Sequence, residues 1–493
     1  MSGRYERSLM DLITEVDARA PGLIENAAAL VGAADSDVLV SSITQDSRDV
    51  GSGSLFCAIR GQTADGHDYL ESSVEAGAVA VLVERVHDGI DPAVQIVSAD
   101  TPRATGFLAA ALMGQPADSL SLVAVTGTNG KTSVVTILAH IVNACGGVAA
   151  SMGTLTGALT TAAAPDFHAA LAGHKDDGVT VVAAEVSSHA LDQKRIAGAN
   201  VAVAAFTNLS QDHLDYHSDM EDYFEAKARL FGAEYGADAV IDVSDEYGAR
   251  LARMVEQSSV EGTALVRVAG DDIAHAGTLN EGSSTFIWRD RTIELPLGGA
   301  FSVNNSILAA EAAFLLGFEV DAVAAALGSV PPVSGRFESV DAGQPFAVVV
   351  DYSHTPASVA AAVESARQLT TGSVILVFGA AGDRDPGKRP LMGEAAAAAD
   401  RLFVTSDNPR TEDPAKIVAE VVAGIPEHDD VHVFVDRSEA ISHAISGAAP
   451  GDIVVIAGKG HEDYQIVGTT RTYFDDRVEA RRSLAAAGWE TVA

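Results

Sequence analysis

Cysteine, basic residues and long apolar runs are all scarce in this chain of 493 residues. The two cysteines, Cys57 and Cys145, provide neither a disulfide framework nor the spacing of a zinc site. Lys and Arg total 32 against 68 Asp and Glu, a net charge of −36, which argues against nucleic acid as a partner. No apolar run approaches the roughly 18 residues of a membrane span, and the N-terminal stretch lacks the apolar core of a secretory signal. We therefore expect a cytoplasmic protein without a membrane span.

The pattern of short apolar runs predicts an α/β fold in three domains, the number that the length suggests at roughly 100–200 residues per domain. Breaks at GQPADS (114–119) and PPVSGR (331–336) place a small N-terminal α/β domain at 1–117, a central domain at 118–335 and a C-terminal domain at 336–493. Near-continuous apolar strands alternate with helices in the central domain, which is typical of a P-loop-type parallel sheet. The C-terminal domain is predicted to be a doubly wound, Rossmann-like sheet, whose ligands bind beyond the carboxyl ends of its strands.

The stretch VAVTGTNGKTS indicates a nucleotide site. A buried strand runs into a glycine-rich turn and then a helix, and the backbone N–H groups of such a turn attract phosphate oxygens. The usual P-loop pattern has glycine where Val125 stands, so this cradle is incomplete. The Lys131 amine can reach the outer phosphates and the Thr132 hydroxyl can reach Mg²⁺. The expected nucleotide contacts are Gly127, Thr128, Asn129, Gly130, Lys131, Thr132 and Ser133.

Further polar side chains directly follow predicted strands. Glu185 ends VTVVAAE, where a carboxylate either holds a cation opposite the phosphates or caps the next segment. His213, Asp215 and His217 lie in TNLSQDHLDYH and suit a second metal, a substrate contact or a plain polar loop; zinc is not implied, since no second cluster has zinc-ligand spacing. Basic residues after C-terminal strands suit either turns or recognition of a carboxylate or phosphate. These are Arg384, Lys388, Arg389, Arg410 and Lys459.

Taken in order, these motifs resemble those of the Mur ligases, which build the peptidoglycan stem peptide. The resemblance extends from about residue 43 to 482 and rests on TGTNGKT, EVSSHAL, TNLSQDHLDYH, EAKARLF, NNSILAA, GRFE, DYSHTP and DNPR. It implies a ligase that uses ATP and Mg²⁺ to convert a carboxylate into an acyl phosphate, which an amine then attacks. We expect the protein to be a monomer. The full set resembles the member that adds the third amino acid, meso-2,6-diaminopimelate, to the D-glutamate carboxylate of UDP-N-acetylmuramoyl-L-alanyl-D-glutamate.

The same resemblance implies roles for individual residues. The implied catalytic set is Lys131, Glu185, His213 and Lys227. The implied metal ligands are Thr132, Glu185, His213 and Lys227, with Lys227 carbamylated to N6-carboxylysine. Further ATP contacts match Asn304, Arg336 and Asp351. Contacts to the UDP-sugar dipeptide match Gln45, Ser47, Gln62, Thr63, Ala64, Thr160, Thr161, Ser187, Gln193 and Arg195. Contacts to diaminopimelate match Arg384, Asp407, Asn408, Pro409, Arg410, Gly458 and Glu462. Two departures, GQT for GHQ and LTTA for TTP, weaken single assignments in the dipeptide pocket.

Three alternatives stay open at the level of sequence. L-Lysine is one alternative amine, although Arg410 would then face no second carboxylate and its buried charge would be unpaired. A folylpolyglutamate-synthase-like ligase shares TGTNGKT and DHLD-like segments, but DNPR and the long N-terminal domain argue against it. A nucleotide-binding regulatory protein of the P-loop type would have no reason to carry the amine-acceptor signatures of the C-terminal domain.

Overall fold

The chain has three main β-sheets, each packed against helices. One lies in each of the three domains that the sequence predicts. The computed structural model describes residues 5–32, 38–61, 64–90, 93–258, 264–268 and 282–489. Within these ranges, no helix is both long enough and apolar enough to cross a bilayer. The predicted three-domain α/β fold is confirmed.

The N-terminal sheet is small and parallel. In spatial order its strands are Ser42–Thr44, Ser54–Cys57, Ala78–Val83 and Val94–Val97. A separate antiparallel pair joins Arg7–Ser8 to Leu39–Val40. The helices are Leu9–Arg19, Ala27–Gly32, Leu70–Glu75 and Thr101–Leu112, with short 3-10 turns at Ser47–Asp49, Gly66–Tyr69 and Pro116–Asp118. The first helix buries Leu9, Leu12, Ile13 and Val16, the spacing that places side chains on one helical face.

The central sheet is parallel throughout its six strands. In spatial order these are Leu265–Val268, Asp238–Asp242, Val203–Phe206, Ser121–Thr126, Val181–Glu185 and Ala149–Met152. The helices are Lys131–Ala144, Ala164–Asp176, Ser188–Asp192, Met220–Ala228, Glu246–Gln257, Ala300–Leu315 and Val320–Leu327, with a 3-10 turn at Arg229–Phe231 and a hairpin of Ser284–Trp288 and Arg291–Leu295. Val123 and Val125 enter one core while Leu122 and Ala124 enter another. Both faces are covered, which explains the unbroken apolar run of the strand.

The C-terminal sheet also has six strands, and only the first of them is antiparallel. In spatial order they are Glu338–Ser339, Ala347–Asp351, Ile453–Ala457, Val374–Phe378, Arg401–Val404 and Val431–Val433. The helices are Pro356–Leu369, Lys388–Ala396, Pro414–Val422, Arg437–Ser446 and Asp476–Ala486, and a hairpin joins Tyr464–Val467 to Thr470–Tyr473. Leu376 and Ile375 enter different cores, as a doubly wound sheet requires.

A fully buried ion pair between Arg437 and Asp476 ties two C-terminal helices together. Arg437 Nε and Nη2 each donate to an Asp476 carboxylate oxygen at 2.7 Å, and Nη2 also donates to the Ala457 carbonyl at 2.9 Å. Arg437→Met would leave Asp476 buried without its partner, so we expect a loss of about 3–5 kcal/mol in the free energy of unfolding. Urea unfolding followed by circular dichroism measures this loss.

The matched control for that variant removes both charges together. Arg437→Met combined with Asp476→Leu should lose less stability than Arg437→Met alone, because no uncompensated charge stays buried. If the double variant is less stable than the single variant, the unpaired carboxylate is not the cause of the loss.

Candidate functional site

The candidate site begins where three central strands end side by side. In the parallel register Val125 pairs with Glu185, and Thr126 pairs with Phe206. The loops that follow these strands therefore leave from the same edge of the sheet. Val125 is completely buried in the core, as a residue of the strand rather than of the turn. Val125, which stands where the usual pattern has glycine, is thus a packed strand residue. The glycine-rich turn begins after it.

The turn itself depends on glycine at two positions. Gly127 has a φ of 143° and Gly130 a φ of 90°. A Cβ atom at Gly127 would overlap the Thr207 hydroxyl, and one at Gly130 would overlap the Asn305 side-chain oxygen. The turn is therefore held closely between the loop after the neighbouring strand and the helix Ala300–Leu315.

Two lysine amines converge on one carbonyl of the turn. The Gly127 oxygen accepts from Lys131 Nζ and from Lys227 Nζ, both at 2.9 Å. Lys131 Nζ also donates to the Thr128 carbonyl at 2.8 Å, and burial lowers its pKa. Lys227 is only 1% exposed, and burial followed by the charge of Lys131 holds its pKa well below the usual value. A lowered pKa shifts Lys227 toward the neutral amine, which is the form able to add CO₂.

The hydroxyl of Thr132 connects the central domain to the C-terminal domain. It donates to Glu185 Oε2 at 3.1 Å and accepts from Arg336 Nη2 at 2.9 Å. The Arg336 guanidinium also lies 4.3 Å from the centre of the Tyr352 ring. Glu185 is nearly fully buried, and its other oxygen accepts from the Thr154 amide at 2.9 Å. A carboxylate and a hydroxyl in contact are oxygen ligands of the type that Mg²⁺ takes.

His213 lies at a strained position next to Asp212. Its φ is 56°, and its Nε2 lies 3.6 Å from Asp212 Oδ2. Its ring packs edge-on against His189, with 4.9 Å between ring centres. Burial lowers the pKa of His213 to about 3, so its imidazole is neutral and can act as a ligand. In the part of the chain that the structure describes, no group of three His, Cys, Asp or Glu side chains is arranged to bind a metal ion. A metal here would depend on Thr132 and Lys227 as well.

A cavity of about 360 Å³ lies between the central and C-terminal domains. Three residues predicted from outside the turn line it together, namely Asn304, Arg336 and Asp351. From the turn and the helix that follows, Asn129, Gly130 and Ser133 line the same cavity. Residues that sequence reasoning missed also line it, among them Asp242, Asp245, Phe301 and Tyr352. Asp242 ends the strand Asp238–Asp242, so the rule used for Glu185 could have found it.

The Asp351 carboxylate holds the segment that carries Arg336. Its two oxygens accept from the Phe337 amide and the Ser353 amide, both at 2.8 Å. Asn304 lies opposite and donates to Asp242 Oδ2 at 3.4 Å. Burial raises the pKa of Asp242.

Five of the residues predicted for the UDP-sugar dipeptide belong to one polar region beside Glu185. Arg195 Nη1 donates to the Thr161 carbonyl at 2.7 Å, and Arg195 Nη2 donates to Gln193 Oε1 at 2.8 Å. The Thr161 hydroxyl donates to the Glu185 carbonyl at 2.9 Å and accepts from the Ser187 amide at 3.1 Å. Thr160 contacts the neighbouring Thr154 hydroxyl at 3.3 Å.

The other predicted dipeptide contacts lie in the N-terminal domain. Gln45 and Ser47 follow the strand Ser42–Thr44, and both are partly buried. Ala64 is exposed, and its carbonyl accepts from the Gly61 amide at 2.9 Å. Gln62 and Thr63 lie outside the described residues.

Most of the residues predicted for diaminopimelate gather at the carboxyl edge of the C-terminal sheet. Asn408 Nδ2 donates to Glu462 Oε2 at 2.9 Å, and Asn408 Oδ1 accepts from Lys459 Nζ at 3.2 Å. Lys459 Nζ lies 3.2 Å from Glu462 Oε2 and 3.5 Å from Asp407 Oδ1. Gly458 has a φ of 121° and lies next to Asp407. Burial, and then the charge of Asp407, raise the pKa of Glu462.

Arg410 and its neighbours form the other side of this group. Arg410 has a φ of 52°, and its backbone N–H donates to the Ile466 carbonyl of the hairpin at 3.0 Å. Its Nε is buried and has no hydrogen-bond acceptor among the described residues. The Pro409 carbonyl packs so closely on Gly382 that a Cβ atom there would overlap it. Arg384 is exposed on the loop after the strand Val374–Phe378. Among the described residues, it forms no hydrogen bond with Asn408.

The five basic residues that follow C-terminal strands have different surroundings. Lys388 Nζ lies 3.7 Å from Asp212 Oδ1 of the central domain, a contact that the sequence did not reveal. Arg389 is paired with Glu412 at 2.7 Å and with Glu420 at 2.6 Å. Lys459 is paired as described above. In the described ranges, Arg384 and Arg410 are the members of this set without an ion pair.

The fold and the site define a three-domain α/β enzyme with a P-loop-like turn at its centre. Family models described as "Mur ligase family, catalytic domain", "Mur ligase middle domain" and "Mur ligase, glutamate ligase domain" match residues 39–113, 125–313 and 335–460. The UDP-N-acetylmuramoyl-L-alanyl-D-glutamate–2,6-diaminopimelate ligase of Synechococcus elongatus is 44% identical, covering 91% of this chain and 95% of the relative. The chain belongs to the Mur ligase family.

Two further comparisons agree with this assignment. The ligase of the same name from Geobacillus kaustophilus is 42% identical, covering 91% of this chain and 96% of the relative. A solved structure of a ligase of that name is 33% identical with a TM-score of 0.64, covering 91% of this chain and 95% of that one. The resemblance inferred from the sequence motifs is thereby confirmed.

Proposed function

We propose that this protein is an ATP-dependent ligase that adds meso-2,6-diaminopimelate to the D-glutamate carboxylate of UDP-N-acetylmuramoyl-L-alanyl-D-glutamate. The reaction would take place in the cytoplasm during synthesis of the peptidoglycan precursor, with the protein as a monomer. The choice of diaminopimelate as the amine rests on Arg410, because its buried Nε has no hydrogen-bond acceptor among the described residues. Diaminopimelate has a second carboxylate to accept from it, whereas lysine has none.

Each of the three domains, with bounds near 1–117, 118–335 and 336–493, would contribute mainly to the binding of a different substrate. The turn from Gly127 to Ser133 would hold the ATP phosphates, and Asn304, Arg336 and Asp351 would contact the rest of the nucleotide in the cavity between two domains. The contact of Arg336 with Thr132 supports this nucleotide site, because it brings a cation from the C-terminal domain to the start of the helix Lys131–Ala144. ATP binding would thus depend on how the two domains meet.

The residues around Glu185 fit a site for magnesium. Thr132 and Glu185 would hold one ion, while His213 and a carbamylated Lys227 would hold a second. Bound magnesium would neutralise charge on the phosphoryl group during its transfer to the D-glutamate carboxylate. Lys131 would add a further positive charge beside the turn, and the amine of diaminopimelate would then displace the phosphate.

The dipeptide would lie along the region that contains Arg195. Within the described ranges its guanidinium forms no ion pair with a carboxylate, and its hydrogen bonds to Thr161 and Gln193 fix its direction. An anionic substrate would supply the missing negative charge. Gln45, Ser47 and the segment Gln62 to Ala64 would hold the uridine end.

The decisive experiment measures phosphate release from ATP in the presence of the UDP-muramoyl dipeptide. We expect release that depends on both the dipeptide and meso-diaminopimelate, and much slower release with L-lysine. Release that is independent of both substrates would contradict a ligase and favour a regulatory ATPase. A preference for lysine would contradict only the choice of amine, and stimulation by a folate substrate would favour the folylpolyglutamate-type alternative.

A further inference from the structure

Lys459 lies among the residues assigned to diaminopimelate, here called the amine site, but it has no assigned contact with that substrate. The side chain is fully buried, and its ammonium contacts three residues that are assigned to diaminopimelate: Asn408, Asp407 and Glu462. Burying an ammonium is costly unless carboxylates and hydrogen bonds compensate for the lost water. A lysine in this place therefore has a specific set of partners rather than a general role in solubility.

The contacts of Lys459 determine which way the Asn408 carboxamide points. Asn408 Oδ1 accepts from Lys459 Nζ at 3.2 Å and from the Ile466 amide at 3.0 Å. Both partners can only donate, so the carboxamide oxygen must face them and the NH₂ group must face the other way. There Nδ2 donates to Glu462 Oε2 at 2.9 Å. Lys459 and Ile466 thus orient Asn408 as a donor toward the amine site.

The same ammonium determines the charge of the site. With both carboxyl groups ionised, Asp407 and Glu462 carry two negative charges and Lys459 carries one positive charge, which leaves one net negative charge. Two residues after Asn408 in the chain, Arg410 contributes one positive charge without an acidic partner in the described ranges. One excess charge of each sign matches a ligand end that carries one ammonium and one carboxylate together.

We propose that Lys459 is a positioning residue that determines specificity for the amine substrate, by orienting Asn408 and neutralising one of the two carboxylates. The distal end of diaminopimelate is an ammonium beside a carboxylate and fits this charge pattern. The distal end of lysine is an ammonium alone and does not. This inference rests on the proposed function, which it deepens by naming a residue that acts through its neighbours.

A substitution that removes the charge but retains the size of the side chain tests this role. For Lys459→Met we expect the KM for diaminopimelate to rise at least tenfold and the preference for diaminopimelate over lysine, as a ratio of kcat/KM, to fall at least tenfold. The KM values for ATP and for the dipeptide should stay within about twofold of the wild type, because Lys459 contacts neither predicted site. Lys416→Met is the matched control, since Lys416 is well exposed and should alter none of these constants.

A second variant protects the test against misfolding. Lys459→Gln with Glu462→Gln replaces a buried ion pair by two neutral amides, so it leaves no uncompensated charge from that pair. It should bind ATP normally in an equilibrium titration and lose more of its preference for diaminopimelate than Glu462→Gln alone, the reference variant, because Glu462 is itself assigned to that substrate. If either folded variant retains the wild-type preference, or loses ATP and diaminopimelate equally, Lys459 does not set specificity. Failure of the wild-type protein to use diaminopimelate would instead contradict the proposed function itself.

Discussion

Lys227→Ala should reduce kcat by about 10²–10³-fold, the range seen when one charge-stabilising group is removed from a transition state. In the structure Lys227 is buried against the phosphate-type turn, 2.9 Å from the Gly127 carbonyl, with its pKa held well below the usual value. A neutral amine there can add CO₂ and become a carboxylate beside the turn. Alanine would remove that carboxylate and one support for the proposed second magnesium ion. Steady-state kinetics with saturating substrates measures the loss.

Two further observations separate this role from simple packing. A short carboxylate supplied in solution should partly restore the activity of Lys227→Ala, because it can occupy the space of the lost group. Intact-protein mass spectrometry under CO₂ should show one added CO₂ on the wild type and none on the variant. The matched control, Lys416→Ala, should retain full activity because Lys416 is exposed on the helix Pro414–Val422. An unaffected Lys227→Ala variant would exclude a role in supporting the metal.

Arg410→Ala should reduce kcat/KM for diaminopimelate by about 10²–10³-fold, since loss of one partner of a buried charge pair costs roughly 2–5 kcal/mol. Its Nε is buried without an acceptor among the described residues, so the substrate carboxylate would supply the missing partner. The KM for ATP should stay within about twofold. Measuring kcat/KM for diaminopimelate and the KM for ATP on the same preparations compares the two effects.

Two variants sharpen the Arg410 test. Arg410→Lys retains the charge but not the forked guanidinium, so it should recover only part of the loss. Arg471→Ala, on the same hairpin that Arg410 contacts, removes an exposed arginine and should leave both constants unchanged. If Arg410→Ala weakens ATP and diaminopimelate to the same extent, Arg410 acts on the fold of the domain rather than on the amine.

The sequence predicted the fold well because its signals are local. Strands buried on both faces read as unbroken apolar runs, and both larger sheets show such strands entering a core on each face. The ends of neighbouring parallel strands share an edge, which is why the sequence alone places the turn at Gly127 near Glu185. The roles of these residues in binding stay predictions that the experiments above can test.

The sequence does not reveal the partners of the basic residues that follow C-terminal strands, because those partners lie far away along the chain. Lys388 was grouped with Arg410 because both follow C-terminal strands, yet it faces Asp212 of the central domain. Arg389 was grouped in the same way and is paired with Glu412 and Glu420. A residue's position after a strand does not say whether a neighbouring domain or helix supplies its partner.

By itself, the sequence determined the α/β class, the glycine turn before Lys131 and the family resemblance, because each depends on local backbone chemistry or on motif order. Only the tertiary structure decided that Arg336 meets Thr132 from another domain, and that Lys459 is buried beside Asn408. These contacts join residues far apart in the chain through the packing of domains and loops, which periodicity and composition do not encode.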